Sequence, residues 1–337
     1  MKTSVIDIGL QWEIPALTRA LSEAMGQGEV TQVIVNTTGS SGIKKRVLLS
    51  IDAVSTSAQL SNERVSAMPG DVWSLLLPIN HIAGVNVLTR ALKLGSEVVG
   101  ADERADYTAI VPTQLHRALF GDEKLLAHLQ GCKSVLVGGS PASKILLEAA
   151  SKAGISVVTT YGMTETSGGC VYDKRALTDV SVMVDESGRI KIKGPILASG
   201  YEDNQELWSQ HLKDGWFITN DLGKIKNNEI EVIGRIDDVV ITGGENVSLH
   251  AIENELSAGF PDTRFLATAI PDAEWGQKIC LIADSEIDYD HLSELLKTTL
   301  GKQFVPKEFL VMTQIPEIGI GKPDRVKASQ IFIDKQR

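Results

Sequence analysis

Apolar positions along the chain switch between two periods, and the switch points outline the elements. Residues 12–26 carry apolar side chains at helical spacing, and residues 30–35 follow as a β-branched strand. Ser50 is placed to cap a helix through residue 67, residues 71–77 read as a strand stopping at Pro78, and a helix opens after His81 and runs through Leu94. The alternation continues with strands at 97–99 and 107–111, a helix at 113–120, a strand at 134–137, a helix at 142–153 and a strand at 155–160 that breaks into a loop at Tyr161-Gly162. Strands alternating with helices predict an α/β body whose mostly parallel sheet is layered by helices. From about residue 180 the segments shorten to 188–195, 215–223 and 230–233, which predicts a small antiparallel sheet or barrel packed on that body. Helices at 248–258, with Leu249, Ile252 and Leu256 on one face, and at 290–300, with strands at 265–270, 278–283 and 308–312, make a compact α+β unit at the end.

Charge supports a boundary in the same place. The 337-residue chain has a formal charge of -10; from Ile236 onward there are 10 Lys/Arg against 17 Asp/Glu, a net of -7, which leaves -3 for the rest. We therefore expect a domain at 1–236, its small β-rich part at about 180–234, and a mobile C-terminal lid domain at 237–337, with the hinge at Asp237. An acidic chain without a basic stripe argues against nucleic acid as a partner. No apolar run reaches the ~18 residues a membrane span needs, and the first residues hold acids where a signal peptide needs an apolar core, so the expected location is cytoplasmic. Cys132, Cys170 and Cys280 show neither metal spacing nor an even-numbered framework and read as free thiols.

Candidate chemistry lies where predicted strands end. VVTTYGMTETSGG, residues 157–169, places the hydroxyls of Thr164 and Thr166 around Glu165, a set suited to a phosphate with its magnesium, or to a plain polar turn. After the strand at 30–35 come Asn36, Thr37, Thr38, Gly39, Ser40, Ser41, Gly42, Ile43, Lys44 and Lys45. Glycines admit an anion to the backbone and lysine supplies charge, so this segment reads as a polyphosphate loop or as a hairpin with basic flanks; its spacing is not that of a Walker loop. Gly138-Gly139-Ser140-Pro141 offers bare backbone to a flat base or simply makes a tight turn. His81 sits at a strand-to-helix junction. Arg90, among Val87, Leu88 and Leu92, either meets a carboxylate or phosphate in the interior or extends to solvent.

Six stretches in this order resemble the adenylate-forming superfamily of acyl-CoA and aryl-CoA synthetases: the loop at 37–45, GGSP at 138–141, YGMTET at 161–166, GWFITNDLG at 215–223, GRIDD with GGEN at 234–246, and the glycine-flanked Lys322. The resemblance covers about residues 30 to 330. Within it, HIAG followed by VLTRAL most resembles the o-succinylbenzoate-CoA ligase family of menaquinone biosynthesis, in which the arginine nine positions after the histidine meets a carboxylate of an aromatic dicarboxylic acid.

The resemblance implies ATP, Mg2+ and coenzyme A, and two half-reactions. Thr37, Thr38, Gly39, Ser40, Ser41, Gly42 and Lys45 would hold the outer phosphates, Thr164 a phosphate, Glu165 the magnesium, and Lys322 would bridge the reacting oxygens. Gly138, Gly139, Ser140, Tyr161 and Gly162 would flank the adenine, and Asp221 and Arg235 the ribose. His81, Arg90 and Gly162 would line the acyl site, His81 also counting among the catalytic residues. The lid would then turn about Asp237 and bring Gly243-Gly244 alongside as a channel for coenzyme A. Family members have a longer segment before the phosphate loop, so an N-terminal subdomain is expected to be truncated, opening the acyl pocket or leaving a second copy, as a homodimer, to cover it. Lys44, Asn80, Asn220 and Pro323 depart from the family's usual residues without removing a catalytic group. Two alternatives stay open: a related acyl-activating or carrier-protein-loading enzyme, and a non-catalytic nucleotide-binding remnant.

Overall fold

The computed structural model describes residues 4–26, 31–38, 44–318 and 322–336, with the side chains of Thr38, Lys44 and Lys322 outside that description. At its centre are four parallel strands, Trp73–Ser74, Tyr107–Ile110, Ser134–Val137 and Val157–Met163, continued by the antiparallel strands Gly168–Tyr172 and Arg175–Ala176. The two-residue alternation of a pleated strand sorts its side chains to opposite faces. Val135 and Val137 join a core with Leu115, Leu129 and Ala150 of the covering helices, whereas Leu136 joins a second core with Trp73, Tyr107 and Tyr172. Both faces of the sheet are buried, as the alternation of strands and helices predicts.

A second sheet, Ser4–Asp7, Thr31–Thr38, Lys44–Ser50 and Gly200–Tyr201, packs with helix Ile14–Gly26 around a third core that also takes Val85 and Leu88 from helix Ile82–Leu94. The β-rich part comprises Ser181–Val184, Arg189–Lys193, Leu212–Lys213, Trp216–Lys226 and Glu229–Arg235. Beyond it, Val239–Thr242, Glu245–Ser248, Phe265–Asp272, Gly276–Ala283 and Glu308–Val311 form a mixed sheet alongside helices Leu249–Gly259, Tyr289–Thr299 and Arg325–Lys335. The two cores there draw only on residues from Val240 onward.

Local signals place most element ends well. Ser50 and Ser248 each accept an amide hydrogen at an N-cap, from Ala53 at 3.0 Å and from Ala251 at 3.2 Å. Other expectations need correction. The strand at 71–77 shrinks to Trp73–Ser74, and the one at 97–99 to a single bridge between Ser74 and Val99, because the two segments meet at one register position. The strand expected to break at Tyr161-Gly162 continues to Met163, since Gly168–Tyr172 folds back to pair with it. Periodicity alone does not mark helix Glu123–Gly131, capped by Asp122, or helix Arg325–Lys335, capped by Asp324.

Candidate active site

The carboxyl end of strand Val157–Met163 gathers the chemistry. The strand stops in a single helical turn, Thr164–Thr166, closed by the Thr166 hydroxyl, which accepts the Met163 amide at 3.0 Å and donates to the Gly168 carbonyl at 2.7 Å. Thr166 is fully buried. Of the two hydroxyls expected around Glu165, only Thr164 remains for a ligand. Ser167 is buried in the left-handed region at φ 50°; its carbonyl accepts from Ser57 and Asn86, and its hydroxyl donates to the Ile196 carbonyl. A non-glycine residue in that conformation is strained, so the surrounding bonds fix the turn.

Glu165 faces the expected phosphate hairpin through an intermediary that sequence reasoning missed. Tyr201, on the strand paired with Val47 and Leu48, donates its hydroxyl to Glu165 Oε1 at 2.8 Å, and Lys45 Nζ lies 5.0 Å from the centroid of the same ring. Burial, and then the Glu165 charge, push the Tyr201 hydroxyl pKa upward, so it stays a donor. Thr37 pairs with Lys45 and Thr38 with Lys44, which makes the expected loop the end of a hairpin; Gly39, Ser40, Ser41 and Gly42 lie outside the described residues. Arg46 ties the hairpin down by pairing with Asp7 at 3.0 Å and with Glu202.

On the strand that leads into the Glu165 turn, Tyr161 reaches the β-rich part. Its hydroxyl donates to Asp221 Oδ2 at 2.7 Å, while Arg235, directly across the strand pair, donates to Asp221 Oδ1 at 3.1 Å. Burial raises the Asp221 pKa; Tyr161 and Arg235 oppose the rise, and the charges of Asp237 and Glu165 add to it. Glu165 thus follows, four residues on, the tyrosine that bonds Asp221. A carboxylate has about four acceptor sites, so Asp221 keeps capacity for the hydroxyls of a ligand.

Gly138, Gly139 and Ser140 follow an adjacent strand, and His81 and Arg90 belong to helix Ile82–Leu94 and its N-cap. Gly138, just past strand Ser134–Val137, donates its amide to the Ile110 carbonyl at 3.1 Å, and Gly139 and Ser140 follow it; Val137 pairs with Thr159, two positions before Tyr161. The carboxyl ends of adjacent parallel strands are where such sheets bind ligands. Gly162 cannot be larger, because a Cβ there would lie 2.1 Å from the Gly168 carbonyl oxygen. His81 is the residue before helix Ile82–Leu94, and its carbonyl accepts the amides of Gly84 and Val85 at 3.1 Å each. Arg90 is 4% exposed, which settles its direction: it does not extend to solvent.

The segments expected to form the lid have partners of their own. Asp237 accepts two hydrogen bonds from Arg235, both at 2.8 Å, and its neighbour Asp238 instead pairs with Arg325 at 3.0 Å. Gly243 and Gly244 make the two-residue turn between Val239–Thr242 and Glu245–Ser248, with Gly243 donating to the Trp275 carbonyl at 2.9 Å. The backbone of Lys322 pairs with Ile318. Among the described residues no group of three or more His, Cys, Asp and Glu side chains gathers to hold a metal. A magnesium ion bound mainly by phosphate oxygens needs only one or two protein carboxylates, and Glu165 near the hairpin fits that requirement. Cys132, Cys170 and Cys280 are buried free thiols. Among the described residues no helix is long and apolar enough to cross a membrane.

The family model for AMP-binding enzymes matches residues 20–202, more than half of the chain. The chain belongs to the AMP-binding enzyme family. Among curated members of the family, a "Probable 2-succinylbenzoate--CoA ligase" of Mycobacterium tuberculosis is 35% identical over 95% of this chain and 90% of its own length. The 2-succinylbenzoate--CoA ligase of Listeria monocytogenes is 26% identical over 89% of this chain and 70% of its own. The family fold also appears in the o-succinylbenzoate CoA synthetase MenE of Bacillus subtilis, solved with its acyl-adenylate intermediate, at a TM-score of 0.77 and 24% identity, over 88% of this chain and 68% of that one. The α/β fold expected from the motifs is that of adenylate-forming enzymes, and the chain is short beside the Listeria and Bacillus proteins.

Proposed function

We propose that this protein is an AMP-forming acid-thiol ligase that joins 2-succinylbenzoate to coenzyme A through an acyl-adenylate, a cytoplasmic step of menaquinone biosynthesis. The observation that carries the choice of acid is Arg90. Its guanidinium is buried, and no carboxylate among the described residues pairs with it. An isolated buried cation is costly, so the site suits a substrate bearing a second carboxylate. The names of the relatives from Mycobacterium and Listeria support the same acid.

In the first half-reaction a carboxylate oxygen bonds to the α-phosphorus of ATP, and the bond to the pyrophosphate oxygen breaks. Both reactants are anionic, so the work of the protein is to place positive charge and donors around them. The hairpin with Lys45 would hold the outer phosphates, Thr164 a further phosphate oxygen, and Asp221 with Arg235 the ribose. Magnesium, when bound at Glu165, supplies charge neutralisation on the phosphates. Lys322 would bridge the two reacting oxygens. In the second half-reaction the thiol of coenzyme A bonds to the acyl carbon and AMP leaves. For this the unit after Asp237 would turn, withdrawing Lys322 and bringing Gly243-Gly244 beside the carbonyl.

Asp221→Asn should raise the KM for ATP on the order of 100-fold, from two hydrogen bonds to a charged group at roughly 1.5 kcal/mol each. Unchanged nucleotide affinity in calorimetry would remove Asp221 from the site.

A panel of carboxylic acids in ATP-pyrophosphate exchange tests the reading as a whole. The expected result is a preference for 2-succinylbenzoate, with Arg90→Ala lowering its kcat/KM by roughly thirtyfold, the scale of one strong hydrogen-bonded charge contact, while a simple aryl acid changes little. Equal losses for both acids, or no exchange with the diacid, would overturn it. Nucleotide binding without any pyrophosphate release would point instead to a non-catalytic remnant.

A further inference from the structure

The described residues contain five buried side-chain atoms without a hydrogen-bond partner, and four belong to Asn62, Trp73, Asn86 and Arg90. These residues are neighbours. Asn62 Nδ2 donates to the Arg90 carbonyl at 3.0 Å, the Trp73 ring centroid lies 5.1 Å from the guanidinium, and Asn86 stands one helical turn before Arg90. Two of the orphaned atoms, Arg90 Nε and Trp73 Nε1, are donors, which is the equipment an arriving anion requires. What orients the guanidinium is a tyrosine. Arg90 Nη2 donates to the Tyr172 hydroxyl at 3.1 Å, and that hydroxyl bonds Ser61 Oγ at 2.8 Å.

Tyr172 also touches the strand pair at the heart of the site. A Cβ on Gly169 would lie 2.9 Å from the Tyr172 ring, and Gly169 pairs with Gly162. The ring therefore packs against the backbone beside Gly162, and its hydroxyl links Arg90 to that backbone. We propose that Tyr172, braced by Ser61, is a positioning residue that holds Arg90 for the second carboxylate of the substrate and so sets the preference for diacids over monoacids. This rests on the function proposed above. It assigns to Tyr172 a role in selectivity and none in the phosphoryl chemistry, because its hydroxyl bonds lead to Arg90 and Ser61 rather than to Glu165 or Asp221.

The test compares wild type, Tyr172→Phe and Ser61→Ala in pyrophosphate exchange. The acids are 2-succinylbenzoate and the two monoacids that each keep one of its carboxylates, 4-oxo-4-phenylbutanoate and benzoate. Tyr172→Phe keeps the ring and removes the oxygen. It should raise the KM for the diacid about tenfold, the scale of one hydrogen bond to a charged group, with kcat and the KM for ATP retained and the better monoacid unaffected. Ser61→Ala should act in the same direction by about threefold, since it loosens the brace without removing it. If Tyr172→Phe shifts diacid and monoacid equally, or shifts neither, the positioning role fails while the proposed function stands. If wild type prefers a monoacid, both fall.

Discussion

Replacing Lys322 with alanine is expected to lower adenylation about 100- to 1000-fold, the cost of removing one donor aimed at charge developing in a transition state. Transfer of a preformed acyl-adenylate to coenzyme A should stay within a few-fold of wild type. In the first half-reaction an anion approaches a triphosphate, and the Lys322 ammonium, in the proposed arrangement, would offset that repulsion; in the second, a neutral thiol meets the carbonyl of a mixed anhydride, where the repulsion is smaller. Pyrophosphate exchange measures the first step, and a single turnover of synthetic acyl-adenylate with coenzyme A measures the second. If both fall together, Lys322 serves both steps and the proposed alternation of two orientations is wrong.

Arg325, on the last helix, pairs with Asp238 at 3.0 Å and with Glu253 through both of that residue's oxygens, and donates to the Ala267 carbonyl at 2.7 Å. Removing one member of a buried ion cluster strands the others and costs about 3–5 kcal/mol. Arg325→Leu should accordingly melt the unit beyond Asp237 ahead of the rest, seen as early loss of amide protection in hydrogen exchange. Burial alone would raise the Glu253 pKa, but the Arg325 charge and hydrogen bonds, with the His250 ring 3.7 Å away, more than offset it and hold the pKa at about 2, below its usual 4.5. A carboxyl depressed in the folded state stabilises above pH 4.5 and loses that contribution as pH falls toward 2. Without Arg325 the burial effect dominates and the folded-state pKa lies above 4.5, so acidification toward pH 4.5 should stabilise the variant, and below pH 4.5 it should not share the loss seen in wild type. A protection pattern unchanged from wild type would show that the cluster is not what holds the unit together.

Much of this arrangement is legible in the chain because the signals are local. Caps at Ser50 and Ser248, the leucine faces of the late helices and the alternation of strand and helix each depend on residues a few positions apart. The burial of Arg90 is half legible, since its apolar neighbours allow either direction. Tyr201 and Tyr172 are not legible, because their partners Glu165 and Arg90 lie 36 and 82 positions away and nothing in the nearby sequence marks a tyrosine as a brace. Thr166 misleads for a related reason: a hydroxyl beside an acid looks like a ligand, and only the return of Gly168 as an antiparallel neighbour shows that it closes a turn.

Asp237 and Asp238 are adjacent in the chain yet engaged by different bodies, the first by Arg235 beside Asp221, the second by Arg325 of the last helix. Because the peptide group between them is planar and stiff, torsional freedom is left only in the few single bonds flanking it. The proposed reorientation of the final third of the molecule would then act through that short swivel and leave the ion pairs on either side of it intact.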